Sequence, residues 1–489
     1  MNHSNIDVAV IGSGMGGLTA AALLAQEGLK VKVIEQNYLP GGCTSAYWRK
    51  GFVFEAGATT LVGLDEGMPL HFLLQKTGIN IPAVSLEIPM TIHLKSGKKI
   101  VRYNQLDAWI AEAERVFGKH NQRAFWQYCY QVSQFVWETS LQQTTFPPSC
   151  WTDFIGMAKN VTFKQLKYAA LAFKTTRQLL QDFGLDNNAD FIEFVNEQLM
   201  ITAQNYYEEV NVLFGATALC YTNYGNYYVN GGLINLVQPI VDFIEQQGGE
   251  VSLRNPVEQI TTDATHYYLN TKKESTIKAK FLVAAIPLNN ILQLWKNDSL
   301  QQRYAKKVLG ANELNSAFQM GIGFRATKSY PCLHYQIHLK ERLPFGGGAS
   351  IFVSLSHPED HSRSDEPGMM VASVSTHVHQ PDKNAHFDKA IVEEIILNEL
   401  EKQHIIDRKD VVYYHSSTPA AWEKWTKRQF GFVGGYPQYK HIKPWQMPDA
   451  RLDGKKAYLC GDTAYPGQGI PGATLSGIIA WQKLKNDWL

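Results

Sequence analysis

Residues Asp7–Glu35 read DVAVIGSGMGGLTAAALLAQEGLKVKVIE, and the parts follow one another as a nucleotide-binding βαβ unit requires. Asp7–Ile11 is a run of mostly Val, Ile and Ala, suited to a strand buried on both faces. Gly12, Gly14 and Gly17 then form G-x-G-x-x-G, with Ser13, Met15 and Gly16 between them. In such a loop the first glycine permits a tight turn, the second lets a pyrophosphate approach the backbone, and the third lets helix and strand pack closely. Leu18–Glu27, rich in Ala, Leu and Gln, predicts a helix, and Gly28 stands where a helix C-terminal glycine belongs. Val31–Ile34 predicts a second buried strand. It ends on Glu35, 23 residues past Gly12, close to the spacing of about 20 at which an acid meets a ribose. The free N–H groups of the helix start would hold a pyrophosphate, and Glu35 would accept hydrogen bonds from the adenosine ribose. An acid there disfavours a 2′-phosphate, so FAD or NAD is preferred over NADP.

The bulk composition narrows the class. A chain of 489 residues can bury a large core and should hold two or three domains. With 45% hydrophobic residues and a net charge of +1 it is an ordinary globular chain, and nucleic acid is not expected as a partner. Aromatic residues reach 12%, which suits a large apolar ligand or membrane contact as well as an aromatic core. The six cysteines, at 43, 129, 150, 220, 332 and 460, form no C-x-x-C. Neither a disulfide scaffold nor a zinc site is suggested, and a reducing cytoplasm is the simpler expectation. The first residues enter the first strand without a basic and apolar leader, so no signal peptide is expected. Val210–Val241 carries no charge, but its Asn, Tyr and Gly content makes it a buried lining near a ligand rather than a membrane helix.

Downstream, Thr91–Leu94 and Lys99–Tyr103 read as a hairpin around Ser96-Gly97, and about 105–205 turns helical. Within it Asp153–Leu180 mixes Phe, Leu, Ile and Tyr with Lys159, Lys164, Lys167, Lys174 and Arg177, the pattern of a basic amphipathic helix on a membrane surface or of a solvated face over a core. Glu250–Leu253, Val257–Thr261 and Phe281–Ile286 read as strands. Tyr335–Leu339, Ile351–Ser354, Met370–Thr376 and Val411–His415, with a helix over Asn384–Lys402, predict a second, antiparallel sheet. His377 and His379 share one strand face with His357 and His361 nearby, but nothing fixes a metal geometry, and no metal is expected. Gly346-Gly347-Gly348 lacks a strand before it and a helix after it, so no second dinucleotide site is expected.

Two further blocks carry a family resemblance. After Glu35 and Gln36 come Leu39-Pro40-Gly41-Gly42-Cys43-Thr44 and Gly51-Phe52-Val53-Phe54-Glu55-Ala56-Gly57-Ala58-Thr59. Near the C-terminus, Gly461-Asp462 is followed by Pro466-Gly467-Gln468-Gly469-Ile470-Pro471-Gly472 and a helix from about Ala473 to Lys485. Together these resemble the phytoene desaturase, carotenoid isomerase and retinol saturase family of flavoproteins, the desaturase and isomerase branches most. Tyr227-Tyr228-Val229-Asn230-Gly231-Gly232 resembles a further family segment, with Val229 in place of a proline, and Thr418-Pro419 another.

The resemblance implies an α/β fold: a discontinuous Rossmann-type FAD-binding domain from 1–80, 225–290 and 445–489. An inserted α+β substrate domain from 81–224 and 291–444 would carry the antiparallel sheet and a membrane-contacting helical segment. FAD is the implied cofactor. Its expected contacts are Gly12, Ser13, Gly14, Met15, Gly16, Gly17, Glu35, Gln36, Gly41, Gly42, Cys43, Thr44, Ala58 and Thr59, then Val257, whose strand backbone would pair with adenine. Asp462 with Gly461 would meet the ribityl chain, and Gly469 and Ile470 the flavin N1/O2 edge, toward which the helix start directs its positive end. Cys43 reads as a packing residue rather than a reactive thiol. No residue triad or carboxylate pair stands out, so the chemistry would centre on the flavin. The implied activity is desaturation of an acyclic carotenoid or related polyene by hydride transfer to flavin N5, with oxygen or a quinone taking the electrons. Isomerisation or retinol-type saturation on reduced FAD is the alternative. More remote are an isoprenoid-binding escort without flavin chemistry and an amine oxidase. A lipid-soluble substrate implies an apolar tunnel and peripheral attachment to the inner face of the cell membrane.

Overall fold

The computed structural model describes residues 6–160, 167–382 and 386–489. Residues 1–5, Lys164 and Asn384, each used above, lie outside these residues. Two seven-stranded sheets, two smaller sheets of two and three strands, and a helical layer make up the described residues.

The first sheet runs in the order Glu250–Ser252, Val31–Ile34, Ile6–Ile11, Ile277–Ala284, Tyr267–Thr271, Val257–Thr262, with Ala457–Leu459 also paired to Ile277–Ala284. The first four strands and Ala457–Leu459 are parallel, in register Val8↔Val31, Val8↔Phe281 and Leu282↔Ala457. The last two strands are antiparallel. The strands of this sheet lie within residues 6–34, 250–284 and 457–459. The fingerprint helix, Met15–Gln26, is buried over nearly its whole length, which is why its sequence is Ala- and Leu-rich rather than amphipathic. It packs between helices Ile234–Gln246 and Ile470–Trp488. Its crossing with the last helix is unusually close. A methyl group on Gly477 would lie 2.4 Å from the Gly16 carbonyl oxygen and 2.8 Å from Thr19 Cβ, so the two backbones touch.

The second sheet runs Val411–Ser417, Asn315–Arg325, Met369–His379, Ser350–Leu355, His334–His338, Met90–His93, Lys99–Arg102. It is antiparallel except where His334–His338 meets Met90–His93, which pair in parallel. The predicted hairpin thus belongs to a sheet built mainly from the C-terminal half. Asn315–Arg325, central to the sheet and paired along all eleven residues with Met369–His379, is absent from the sequence reading. Its glycines hide the strand pattern. Methyls on Gly321 and Gly323 would strike the Phe54 and Phe52 rings at 2.9 and 2.5 Å, so the residues that weaken the strand signal exist to admit those rings.

Helices Leu106–Phe117, Gln122–Gln142, Ala189–Ala203 and Val212–Cys220 enclose a third core around Trp109, Trp126, Phe125, Phe191 and Phe194. The uncharged stretch Val210–Val241 is not one ligand lining. Its first part belongs to this helical core, while Ile234–Val241 packs on the fingerprint helix. It lacks charge because each part is covered on several sides. The last helix begins at Ile470, earlier than expected, since Pro471 is tolerated in a first turn.

Asp153–Leu180 is not one continuous basic helix. Trp151–Asn160 is a helix, Ala170–Phe173 a short 3-10 turn, and Thr175 with Gln178 forms a capping box that starts a new helix over Thr176–Asp182. Lys174 is paired with Asp182 and Arg177 with Glu208, which removes two of the five cations from a common face. Asp153 points inward, onto Arg451 at 2.6 and 3.1 Å, and Arg451 also grips Asp487 of the last helix at 2.7 and 2.9 Å. Among the described residues no helix is long and apolar enough to cross a membrane.

Burial alone would push the Asp153 carboxyl up, but hydrogen bonds from Arg451 and the Ser149 N–H, with the Lys483 charge nearby, hold it below the usual carboxylate range. A depressed carboxylate stabilises the fold fully above its unfolded value of about 3.9 and loses that contribution as pH falls through the folded value. Asp153→Asn is therefore expected to flatten the acid limb of a plot of Tm against pH below about pH 4. At neutral pH it should cost toward the low end of about 3–5 kcal/mol, since Asp487 still faces Arg451. Calorimetric scans of wild type and variant across that range check both.

Candidate functional site

Three glycine-rich loops from distant parts of the chain converge on the start of helix Met15–Gln26. Gly12 turns with φ of +95°, and a methyl on Gly17 would lie 2.3 Å from the Gly12 carbonyl oxygen, the helix-to-strand closeness expected of the first and third glycines. Gly14 forms a β-bridge with Gly41, whose N–H donates to the Ser13 carbonyl at 2.9 Å. A methyl on Gly42 would stand 3.4 Å from Gly14 Cα. The C-terminal loop closes the other side, since a methyl on Gly16 would stand 2.8 Å from the Gly461 nitrogen. Gly461 N–H donates to Ser476 Oγ at 2.7 Å, and Cys460 N–H to the Ala284 carbonyl at 2.9 Å.

Around this junction lie the other expected residues. Glu35 Oε2 accepts from Ser13 N–H at 2.9 Å and Ser13 Oγ–H at 2.7 Å, while Oε1 accepts from Asn37 N–H at 2.8 Å. The acid is thereby aimed back at the fingerprint loop. Gln36 does not turn to the same side; its amide donates to the Thr426 carbonyl at 2.8 Å. Cys43 accepts the Ala58 N–H on its carbonyl at 2.8 Å, which ties Thr44, Ala58 and Thr59 to the glycine pair. Burial pushes the Cys43 thiol up, with the Arg428 charge working against that and Asp462 adding to it, as for a packing residue. Val257 begins the edge strand of the same sheet. The turn before it lies along the acid, for Asn255 N–H donates to the Glu35 carbonyl at 2.8 Å. Gly469 is the residue before the last helix, and Ile470 its first member.

Other residues at the site carry no motif. Arg428 forms an ion pair with Asp462 at 2.8 Å. Its position just before the run Gly431–Gly435 was the one available hint. Thr59 Oγ accepts from Ser354 Oγ–H at 2.7 Å, and Ser354 Oγ lies 2.8 Å from His334 Nδ1. Burial drives His334 down to about 4 and keeps the ring neutral. Its Nε2 is buried with no partner. Glu55, in the second signature, is held by Arg363 at 2.9 Å and by Leu233 N–H at 3.2 Å, and Tyr228 donates to Asp360 at 2.6 Å. The Tyr227–Gly232 segment is therefore knitted to the second signature by a buried polar network.

The histidine pair is not assembled for metal binding. His377 Nε2 meets the Gln204 amide at 2.9 Å, and His379 lies 2.8 Å from Asn315 and from Arg342. Among the described residues no group of three or more His, Cys, Asp or Glu could hold a metal ion. A cavity of about 610 Å³ opens beside them, lined by Gln204, Tyr206, Asn315, Arg342 and His379 among others. Its lining mixes these polar side chains with Met200, Leu314 and Leu343, and is not the apolar tunnel the resemblance implies.

Residues 15–483 match the family described as flavin containing amine oxidoreductase. The chain belongs to that family. Among its relatives is a chloroplastic prolycopene isomerase of Daucus carota, 23% identical over 98% of this chain and 80% of that protein. A 4,4′-diapophytoene desaturase of Staphylococcus haemolyticus is 21% identical over 98% of this chain and 99% of its own length. The fold is shared with cyclohexylamine oxidase from Brevibacterium oxydans, at a TM-score of 0.61 and 16% identity over 99% of this chain and 98% of that one. The family is one of flavin-dependent oxidoreductases, and FAD is the cofactor it implies. The residues present fit that cofactor. Both helices that begin at the junction start without a side-chain cap, leaving their first N–H groups for a ligand. A methyl on Gly14 would meet nothing within 4 Å, so space lies over the helix start.

Glu35→Ala removes the acceptor that faces the fingerprint loop and leaves Ser13 to other partners. FAD affinity, followed by quenching of flavin fluorescence, is expected to fall by about ten-fold or more, as for loss of a charge-assisted hydrogen bond. An unchanged affinity would contradict the placement of the ribose at Glu35.

Proposed function

We propose that the junction of the three loops binds FAD across the starts of helices Met15–Gln26 and Ile470–Trp488, and that the enzyme desaturates an acyclic, partly conjugated polyene of isoprenoid type. The observation that carries this reading is the convergence of Gly14, Gly42 and Gly461, from opposite ends of the chain, on one uncapped helix start. Glu35 holds the adenosine ribose, the Gly14–Gly17 N–H groups the pyrophosphate and Asp462 the ribityl chain, while the Val257 backbone faces the adenine. Bound FAD supplies a two-electron acceptor for hydride at N5. The chain's own part is to position the substrate carbon, keep water out, and receive the proton that leaves with the hydride. Thr59, Ser354 and neutral His334 form a hydrogen-bonded string in which His334 Nε2 is free to accept that proton. Oxygen or a quinone then takes the electrons.

A second reading, cis–trans isomerisation on reduced FAD, is favoured by the Daucus carota relative, which is named a prolycopene isomerase and aligns with 98% of this chain. Redox state separates the two. Purified yellow protein incubated anaerobically with cis and partly saturated carotenoids in liposomes is expected to form desaturated product with oxidised flavin and none after dithionite. Isomerised product only after dithionite would establish the second reading. An unchanged polyene under both conditions, with intact flavin, would defeat both.

The same reading places the enzyme at the cytoplasmic face of a membrane. Support comes from the exposed Trp151, Phe154, Ile155 and Phe173, with Trp445 tilted against Phe173 at 5.4 Å and Lys443 over the Phe173 ring at 5.2 Å. Trp151 is 77% exposed and Phe173 65%; exposed aromatic groups of this kind, one with a basic edge, suit an interface. In flotation assays the wild-type protein is expected to rise with anionic vesicles, and a Trp151→Glu, Phe154→Glu, Phe173→Glu variant to remain at the bottom. Equal behaviour of the two would refute membrane contact through this patch.

A further inference from the structure

A dinucleotide at this junction faces an electrostatic problem. Its pyrophosphate carries two negative charges, and Glu35 and Asp462 add two more beside it. The loops 12–17, 39–45, 56–60 and 461–470 contain no Lys or Arg at all. The two helix starts together offer only about one positive charge. A guanidinium brought from elsewhere in the chain would offset that charge and bind phosphate through paired N–H groups.

Arg428 is placed to be that cation. One terminal nitrogen pairs with Asp462 Oδ2 at 2.8 Å, while the other, Nη1, is buried and has no partner among the described residues. The guanidinium rests over the Phe432 ring at 5.2 Å and lies within electrostatic reach of Cys43. Its two neighbours across the site are each one residue from a glycine that touches the fingerprint loop. Asp462 follows Gly461, packed on Gly16, and Cys43 follows Gly42, packed on Gly14. The segment is also tied to the nucleotide strand, because the Thr426 carbonyl accepts from Gln36 at 2.8 Å, and Arg428 N–H donates to Thr426 Oγ at 3.2 Å. A buried guanidinium donor without an acceptor is costly, and a phosphate oxygen is the acceptor that the site's ligand class provides.

We propose that Arg428 is the cationic ligand for the pyrophosphate of the dinucleotide, with Asp462 orienting its guanidinium so that Nη1 faces the phosphates. This rests on the proposal that the junction binds FAD. In this arrangement a residue from the chain's substrate-side half completes the nucleotide site, and affinity for the cofactor depends on that half being docked.

The test uses full-length protein freed of flavin, with Arg428→Met, Arg428→Gln and Arg428→Lys, titrated with FAD, ADP and riboflavin at two salt concentrations. ADP carries the pyrophosphate without the flavin, and riboflavin the flavin without phosphate. Arg428→Met is expected to weaken FAD and ADP alike by about ten- to a hundred-fold, to leave riboflavin within about two-fold, and to reduce the salt dependence of ADP binding. Arg428→Lys should recover part of the loss, and Arg428→Gln, which retains a donor without charge, should not. Should Arg428→Met fail to fold, the Gln and Lys variants give the same comparison. The proposal is overturned if ADP affinity is unchanged in Arg428→Gln, or if riboflavin weakens as much as FAD, which would show that Arg428 acts only through Asp462 and the flavin end. Wild-type protein that binds neither FAD nor ADP would instead overturn the dinucleotide reading itself.

Discussion

The contact on which everything else depends is the touching of two helix backbones, Met15–Gln26 and Ile470–Trp488, at Gly16, Thr19 and Gly477. Residues more than four hundred positions apart are held there at less than side-chain distance. Because Gly477 has no side chain, the last helix lies low enough for Gly461 to reach Gly16 and for Gly469 to open a second uncapped helix start at the same place. Interiors packed at crystal-like density transmit such a shift directly. Even a methyl group at this crossing would lift the C-terminal loop away from the fingerprint loop and open the junction.

A second set of interactions fastens the antiparallel sheet to that junction. Glu55 sits in the strand that follows the glycine pair, and its carboxylate meets Arg363 and Leu233 N–H inside the protein. Burial drives the Glu55 carboxyl up, and the Arg363 charge and the Leu233 hydrogen bond oppose it. Such a pair contributes little net stability over an apolar replacement, yet leaves an uncompensated charge if broken on one side. Its value is positional. Arg363 also donates to the Val53 carbonyl and to Tyr228, so three separated segments share one register. The Phe52 and Phe54 rings enter the gaps left by Gly323 and Gly321, which is the same attachment made in apolar terms.

The division of charge across the junction follows from this arrangement. The loops that meet at the junction are glycine-rich because their backbones come close. The Arg428 guanidinium arrives there from a segment that is remote in sequence and tied to Gln36 and Asp462. The neutral His334, linked through Ser354 to Thr59, comes from the antiparallel sheet in the same way. Polar groups from distant parts of the chain thus reach the same junction.

What the sequence determined by itself was local and periodic. The strand, glycine loop, helix and second strand of Asp7–Glu35 appear as read, since burial on all sides leaves a plain Val, Ile and Ala signature and the glycines answer to φ and contact distance. The C-terminal glycine run and most strands of the first sheet were legible too, although Tyr267–Thr271 was not. Tertiary structure alone decided the rest. The strand Asn315–Arg325 was masked by glycines whose purpose is to receive rings from residues more than 250 positions away. The stretch Val210–Val241 looked uniform because two different cores bury it. Asp153–Leu180 looked continuous because composition records neither the Thr175 cap nor the inward turn of Asp153 to Arg451. Arg428 stands in no motif, since an ion pair between distant segments leaves no spacing in the chain. Such contacts are fixed by where the backbone has already placed two groups, and only the folded molecule contains that information.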